Sequence, residues 1–278
     1  MLSVADDILV AQEMGMIYLT VNRLRGIKVK KYEVIIGAAI LICTTYAQAS
    51  DVNVAVAANF VAPMQDIAHQ FRQKTGHRLI ISSGATGKFY AQIKNGAPFA
   101  VLLAADSATP ERLEREGDAV AGSRFTYAIG RLALWSPQVK YVDAKGQILK
   151  TGTFRHLAMA NPKVAPYGLA AQQVMQRMGV WPQLQPRIVQ GENIAQTQQF
   201  VESGNAELGF VAYSQVIHNS KITGTYWLVP ASQHQPIVQQ AVLLKRGKDN
   251  TAAQQFMAFL KSKAATSIIQ HYGYDVMS

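Results

Sequence analysis

From Val52 to Gly117 the hydrophobic pattern changes period repeatedly, and that alternation constrains the fold more than any other feature. Val52, Val54 and Val56 alternate with Asn53, Ala55 and Ala57, the period of a short buried strand. Met64, Ile67, Ala68 and Phe71 then recur at helical spacing. Pro63 suits the first turn of that helix, and Gly76 the position just past its end. Residues 78–81 read as a second strand and residues 82–87 as a loop. A helix over residues 88–94 stops at Asn95-Gly96, and residues 99–104 form an apolar strand. Thr109-Pro110 opens another helix, which Gly117 closes. Strand and helix alternate three times, the mark of an α/β fold with a parallel sheet and helices on both faces.

The pattern then restarts. Residues 127–129 and 132–135 are strand-like, and residues 157–160 form a strand ending in Asn161-Pro162. A helix over residues 169–178 has Gly179 after it, and Asn193 caps another bearing Ile194, Thr197, Phe200 and Val201. Residues 208–211 and 237–244 are apolar strands. Asn250 caps a long helix through Phe256, Met257, Leu260 and Ile268. No solenoid period is present. Two αβ halves imply two similar lobes, with the final helix returning to the first.

The segment before this pattern reads as an export signal. Arg23, Arg25, Lys28, Lys30 and Lys31 form a cationic run, and an apolar run follows from Val34 to Cys43. Ala47-Gln48-Ala49 has the small-x-small form of a cleavage site, giving a signal peptide over residues 1–49. The apolar run is short of the roughly 20 residues that span a bilayer. A translation start at Met14 or Met16 would give an n-region of ordinary length. Residues 50–278 then contain no cysteine, which suits an oxidising compartment.

Composition and motifs exclude several classes. With 49% hydrophobic and 16% charged residues, the chain has ample core and is not disordered. A single cysteine, Cys43, rules out an intrachain disulfide and a cysteine-based zinc site. The six histidines show no metal-ligand spacing. No G-x-S-x-G elbow or dinucleotide glycine motif occurs, and Gly84-Ala85-Thr86-Gly87-Lys88 lacks both the first glycine and the final hydroxyl of a P-loop. The acids are scattered, so the expectation is a protein that is not an enzyme. The chain has a formal net charge of +10, but its basic residues after Lys31 are spread evenly, without the cluster that nucleic acid requires.

The informative residues sit where strands meet helices. In open αβ sheets, ligands bind beyond the carboxyl ends of the strands, where helix N-termini offer free N–H groups to anions. The first joint is Ala57-Ala58-Asn59-Phe60 and the second runs from Ser82 to Gly87. The second half offers Pro166-Tyr167-Gly168 and Glu192-Asn193-Ile194. Ordinary capping explains any one of these joints, but four joints on two halves favour an anion site.

Several of these segments carry a resemblance. They are Val54-Ala55-Val56-Ala57-Ala58-Asn59-Phe60, Ser82-Ser83-Gly84-Ala85-Thr86-Gly87-Lys88, Gly96-Ala97-Pro98-Phe99 and Ala104-Ala105-Asp106. Asn161-Pro162, Pro166-Tyr167-Gly168, Leu208-Gly209-Phe210-Val211 and His271-Tyr272-Gly273-Tyr274 continue it. In order and spacing the chain resembles the periplasmic molybdate-binding proteins of ABC importers over nearly all of residues 51–275. The resemblance implies a two-lobed periplasmic-binding-protein fold, each lobe a mixed, mostly parallel sheet flanked by helices, with the ligand in the cleft. It places residues 50–126 and 236–278 in the first lobe and residues 127–235 in the second.

By the same resemblance, the protein captures a tetrahedral oxyanion, molybdate or tungstate, and passes it to a membrane permease. It acts as a periplasmic monomer without a cofactor or a direct protein–metal ligand. Ala58 and Asn59 stand at the first joint of the family's site, and Thr86 keeps a hydroxyl at the second. Tyr167 and Ile194 give backbone N–H groups. Two positions depart from the family pattern. Ala212 stands where some members have a tyrosine, with Tyr213 one residue along, so that contact is expected to be either missing or replaced by Tyr167. Ala100 stands where an aspartate usually follows Gly96-Ala97-Pro98-Phe99. Rival readings are a binding protein for sulfate or a small organic acid, an enzyme acting on phosphate or sulfate esters, and a ligand-sensing receptor module.

Overall fold

The computed structural model describes residues 50–218 and 221–276. The expected signal peptide and its cleavage motif lie outside the described residues. No helix among the described residues is long and apolar enough to cross a membrane.

Two five-stranded mixed sheets make up the described chain. The first has the order β2-β1-β3-β12-β4, built from β1 (Asp51–Ala57), β2 (Arg78–Gly84), β3 (Val101–Leu103), β4 (Phe125–Gly130) and β12 (Ile237–Leu243). The second has the order β11-β5-β8-β6-β7, built from β5 (Leu132–Ser136), β6 (Leu157–Ala160), β7 (Ile188–Gly191), β8 (Leu208–Ala212) and β11 (Thr225–Leu228). In the first sheet β1 runs parallel to β2 and β3, while β12 runs antiparallel to β3 and β4. In the second, β6 runs parallel to β7 and β8, while β5 is antiparallel to β8 and β11. A two-residue pair, β9 (Ile217–His218) with β10 (Lys221–Ile222), stands apart.

Val52, Val54, Ala55 and Val56 of β1 are all buried, which a central strand covered on both faces requires. Helix α1 (Val61–Thr75) turns Met64, Ile67 and Phe71 inward and ends on Gly76 at φ 76°, a left-handed cap that glycine adopts without strain. The expected long C-terminal helix is two helices, α9 (Thr251–Leu260) and α10 (Lys263–His271). Ser262 breaks it, because its hydroxyl caps α10 by accepting from Ala265 N. Phe71 lies edge-on to Phe256 at 5.5 Å, so the C-terminal segment packs on α1 against the first sheet.

Local boundaries moved in ways that matter for the site. Strand β2 extends to Gly84, because residues 82–84 continue the parallel register with Ala55, Val56 and Ala57. Helix α2 (Thr86–Lys94) accordingly starts at Thr86 rather than Lys88. The expected lobe boundary after residue 126 cuts through β4, whose residues to Gly130 all belong to the first sheet. The chain passes to the second sheet at Arg131. Strand β11 has no clear strand period in the sequence, since residues 225–228 mix polar and aromatic residues at a sheet edge.

Candidate functional site

Three helices and one short turn start at the carboxyl ends of parallel strands. The 3₁₀ turn Ala58–Phe60 follows β1, and α2 follows β2. Helix α5 (Pro166–Arg177) follows β6, and α7 (Ile194–Glu202) follows β7. The first amides of such a start have no acceptor within the helix. Proline at the first position of α5 removes an amide that would be free anyway and leaves that of Tyr167.

These starts converge. Ala58, Asn59, Thr86, Tyr167 and Ile194 all line one small cavity, together with Ala57, Gly84, Ala85, Ala105, Ala165, Pro166 and Asn193. Both sheets contribute, and no charged side chain lines it. Positive potential therefore comes from helix starts and amides. A wider groove of about 330 Å³ adjoins the cavity and carries the charges, with Asp106 and Lys163 on its walls.

Each side chain is held from behind. Thr86 is 1% exposed, and its Oγ1 accepts from Ala105 N at 3.0 Å. Asn193 caps α7 by accepting from Ala195 N at 2.9 Å and Gln196 N at 3.0 Å. The Ile194 amide is left over by this cap. Asn59 Nδ2 donates to Gln239 Oε1 at 2.8 Å and to Tyr274 Oη at 2.9 Å. Both amide protons of Asn59 are thus engaged behind the cavity. Its side chain is a member of a buried network, not a free donor as the family pattern implies.

That network was not legible as a site in the sequence. Tyr127 Oη reaches Gln239 Oε1 at 2.9 Å and Ala104 O at 3.2 Å. Gln239 Nε2 donates to Tyr167 Oη at 3.1 Å. Tyr274 Oη donates to Asn59 O at 2.7 Å, and Ser214 Oγ to Tyr274 Oη at 2.8 Å. A β-bulge places Tyr127: Gln239 pairs with Ala128 and Gln240 with Thr126, so Tyr127 is the extra residue and its ring is re-aimed. Glycine at 130 makes room, because a Cβ there would stand 2.2 Å from Tyr167 Oη. Burial pushes the hydroxyls of Tyr127, Tyr167 and Tyr274 well above the ordinary tyrosine range, so all three keep their protons. The signal available was Gln239 at an inward position of a strand whose other inward residues, Ile237, Ala241 and Leu243, are apolar.

Contacts also bridge the cleft mouth. Gly87 N donates to Val164 O at 2.9 Å, and Lys88 pairs with Glu192. The two family departures fall outside the cavity. Ala212 is fully buried, and Tyr213 holds Arg131 over its ring at 4.9 Å. Tyr167 does line the cavity, but its hydroxyl is turned to Gln239, so it is not a replacement hydroxyl for the missing tyrosine. Ala100 sits between strands, where its N donates to Asn53 O at 2.8 Å. No cluster of three or more metal-ligating side chains occurs among the described residues.

Comparison with known proteins agrees with this geometry. Residues 52–275 match the family described as bacterial extracellular solute-binding protein. The chain is 56% identical over 244 residues to the molybdate-binding protein ModA of Azotobacter vinelandii, covering 87% of this chain and 96% of that one. It is 50% identical over 228 residues to ModA of Rhodobacter capsulatus, covering 82% and 89%. The solved structure of the Azotobacter vinelandii periplasmic molybdate-binding protein superposes with a TM-score of 0.80 at 44% identity, covering 82% of this chain and all of the other. All three carry the names of binding proteins. The chain belongs to the bacterial extracellular solute-binding protein family, in its ModA group of molybdate-binding proteins.

Proposed function

We propose that this protein captures molybdate in the cavity between its two sheets, in the periplasm, and hands it to the membrane permease of an ABC importer. One observation carries the reading: five residues expected from sequence to face an oxyanion, drawn from four joints and both sheets, line one small cavity free of charged side chains. The ligand set is the Thr86 hydroxyl and the backbone N–H groups of Ala58, Asn59, Tyr167 and Ile194, joined by the Asn59 side-chain amide once its nitrogen is turned toward the cavity. A dianion held by neutral donors needs no counter-charge in contact, since helix starts supply the potential. Tungstate, of the same charge and nearly the same size, is accepted alongside molybdate. The protein works as a monomer and uses no cofactor. Residues 1–49 serve as a cleaved export signal, so the exported chain begins at Ser50.

Titration calorimetry of residues 50–278 against molybdate, tungstate, sulfate and phosphate tests the reading. Saturable one-to-one binding of molybdate and tungstate is expected, with sulfate and phosphate weaker. Tighter sulfate binding would move the protein to a different anion.

A further inference from the structure

Gln239 does not line the cavity, yet it bonds to three residues around it. It is fully buried on β12 of the first sheet. Its Oε1 takes Asn59 Nδ2 at 2.8 Å and Tyr127 Oη at 2.9 Å, and its Nε2 reaches Tyr167 Oη at 3.1 Å. Asn59 belongs to the first sheet's joint and Tyr167 to the second sheet's, so one amide joins the two halves behind the ligand.

The protons of this network decide what Asn59 shows to an anion. No enclosed side-chain nitrogen or oxygen among the described residues lacks a partner. Asn59 Oδ1, which no donor reaches, therefore borders open space, and the space Asn59 lines is the cavity. A carbonyl dipole aimed at a dianion is repulsive. In this arrangement Tyr127 also has one proton for two acceptors, Gln239 Oε1 and Ala104 O. The two ends of an amide have the same shape, and hydrogen bonds select between them. Turning both amides over resolves both conflicts. Gln239 Nε2 then donates to Asn59 Oδ1 and Tyr127 Oη, the Tyr127 proton goes to Ala104 O, and Tyr167 Oη donates to Gln239 Oε1; the Tyr274 proton moves from Asn59 O to Asn59 Oδ1, and Ser214 Oγ donates to Asn59 O in its place. Asn59 Nδ2 faces the anion.

We propose that Gln239 is a positioning residue for anion binding: its amide holds Asn59 with the N–H side toward the ligand while its carbonyl accepts from Tyr167 across the cleft. The inference rests on the molybdate site proposed above. It also makes Gln239 a selector, because the same lock withdraws Asn59 Oδ1 from the cavity and denies an acceptor to any protonated anion.

The test replaces Gln239 by methionine, which keeps the shape and loses the bonds, and by glutamate. In Gln239→Glu an ionised carboxylate only accepts, so it draws Asn59 Nδ2 away from the anion. A protonated one donates and restores the wild-type arrangement. The groups facing position 239 are Asn59 and the hydroxyls of Tyr127 on β4, Tyr167 on α5 and Tyr274 after α10, none ionised at neutral pH. The Asp106 carboxyl acts on Tyr127 from further away and is common to every variant.

Molybdate affinity of Gln239→Met is expected to fall at least about tenfold, independently of pH. That of Gln239→Glu is expected to be low at pH 9 and to recover at pH 6, with close to about one proton taken up per anion. Calorimetry in buffers of different ionisation enthalpy reads that uptake, and thermal melts confirm folding. Where Gln239→Met does not fold, the glutamate variant decides. Wild-type affinity in Gln239→Met, or a Gln239→Glu variant with the same affinity at both pH values and no proton uptake, overturns the inference. Binding lost in Thr86→Val but kept in Gln239→Met leaves the site reading standing and removes only this one.

Discussion

The Ala105 amide donates to the Thr86 hydroxyl at 3.0 Å, and that bond fixes where the Thr86 proton goes. With one lone pair taken from the side of β3, the O–H is free to turn into the cavity that both residues line. Thr86→Val keeps the volume, removes the donor and orphans the Ala105 amide. The expected result is molybdate affinity reduced about tenfold or more, or about 1.4 kcal/mol, with a further stability loss of about 1–3 kcal/mol for the buried amide. Calorimetry and urea denaturation of the same variant separate the two. Unchanged affinity would remove Thr86 from the ligand set.

Gly87 is a point of backbone contact between the two halves at the cleft. Its N–H reaches Val164 O at 2.9 Å, and a Cβ at 87 would stand 3.0 Å from Val164 Cα, a backbone atom that cannot swing aside. Gly87→Ala is therefore expected to hold the cleft slightly open. Molybdate should dissociate several times faster while the melting temperature of the ligand-free protein stays within about 2 °C, since the contact lies at the half-buried cleft mouth. Stopped-flow displacement and small-angle scattering check this. An unchanged off-rate would show that closure does not bring Gly87 against Val164.

Much of this site was legible in the chain because its parts are local. Small, hydroxyl- and amide-bearing residues at strand ends announce helix starts, and Asn193 caps α7 as its position implied. The βα alternation fixed the side of the sheet on which those starts gather. The network behind the site was not legible, because Asn59 and Gln239 are 180 residues apart and Asn59 and Tyr274 are 215 apart. Periodicity carries no information on which distant polar side chains will be buried together. The bulge that aims Tyr127 is equally silent, since one extra residue in β4 has no compositional mark. The broken C-terminal helix was missed for a simpler reason. Ser262 competes as a cap inside an apolar pattern that continues on both sides.

Three buried tyrosines set a limit on alkaline stability. Burial raises the hydroxyls of Tyr127, Tyr167 and Tyr274 above the ordinary value of 10.0 in the folded state. A raised acid favours the fold while the unfolded chain is also neutral. The contribution is fully present below about pH 10 and is lost as pH rises through the unfolded and then the folded values. The melting temperature should be level between about pH 7 and 9 on this account and fall steeply above 10. Tyr127→Phe should blunt that fall. A profile that is the same in wild type and Tyr127→Phe would show that these hydroxyls are not the groups responsible.

Rejection of phosphate follows from what the cavity withholds. Molybdate at neutral pH is a fully deprotonated dianion whose oxygens only accept. Monohydrogen phosphate has the same charge but one O–H, which in a dry site needs an acceptor. No carboxylate lines the cavity. Thr86 Oγ1 already accepts from Ala105 N, and Asn193 Oδ1 already takes two amides of α7. With Gln239 holding Asn59 Oδ1 inward, no side-chain acceptor is left. An unpaired buried hydroxyl costs about 1–3 kcal/mol, so phosphate should bind at least about tenfold more weakly than molybdate between pH 6 and 8. The same neutrality predicts that molybdate affinity changes little with salt, because the exposed Lys88–Glu192 pair at the mouth is the ion pair nearest the site and such pairs contribute about 0–1 kcal/mol. A competition titration at low and high sodium chloride measures both. Equal affinity for the two anions, or a steep salt dependence, would mean that a carboxylate or a cation reaches the bound ligand after all, and Asp106 and Lys163 on the adjoining groove would be the residues to mutate next.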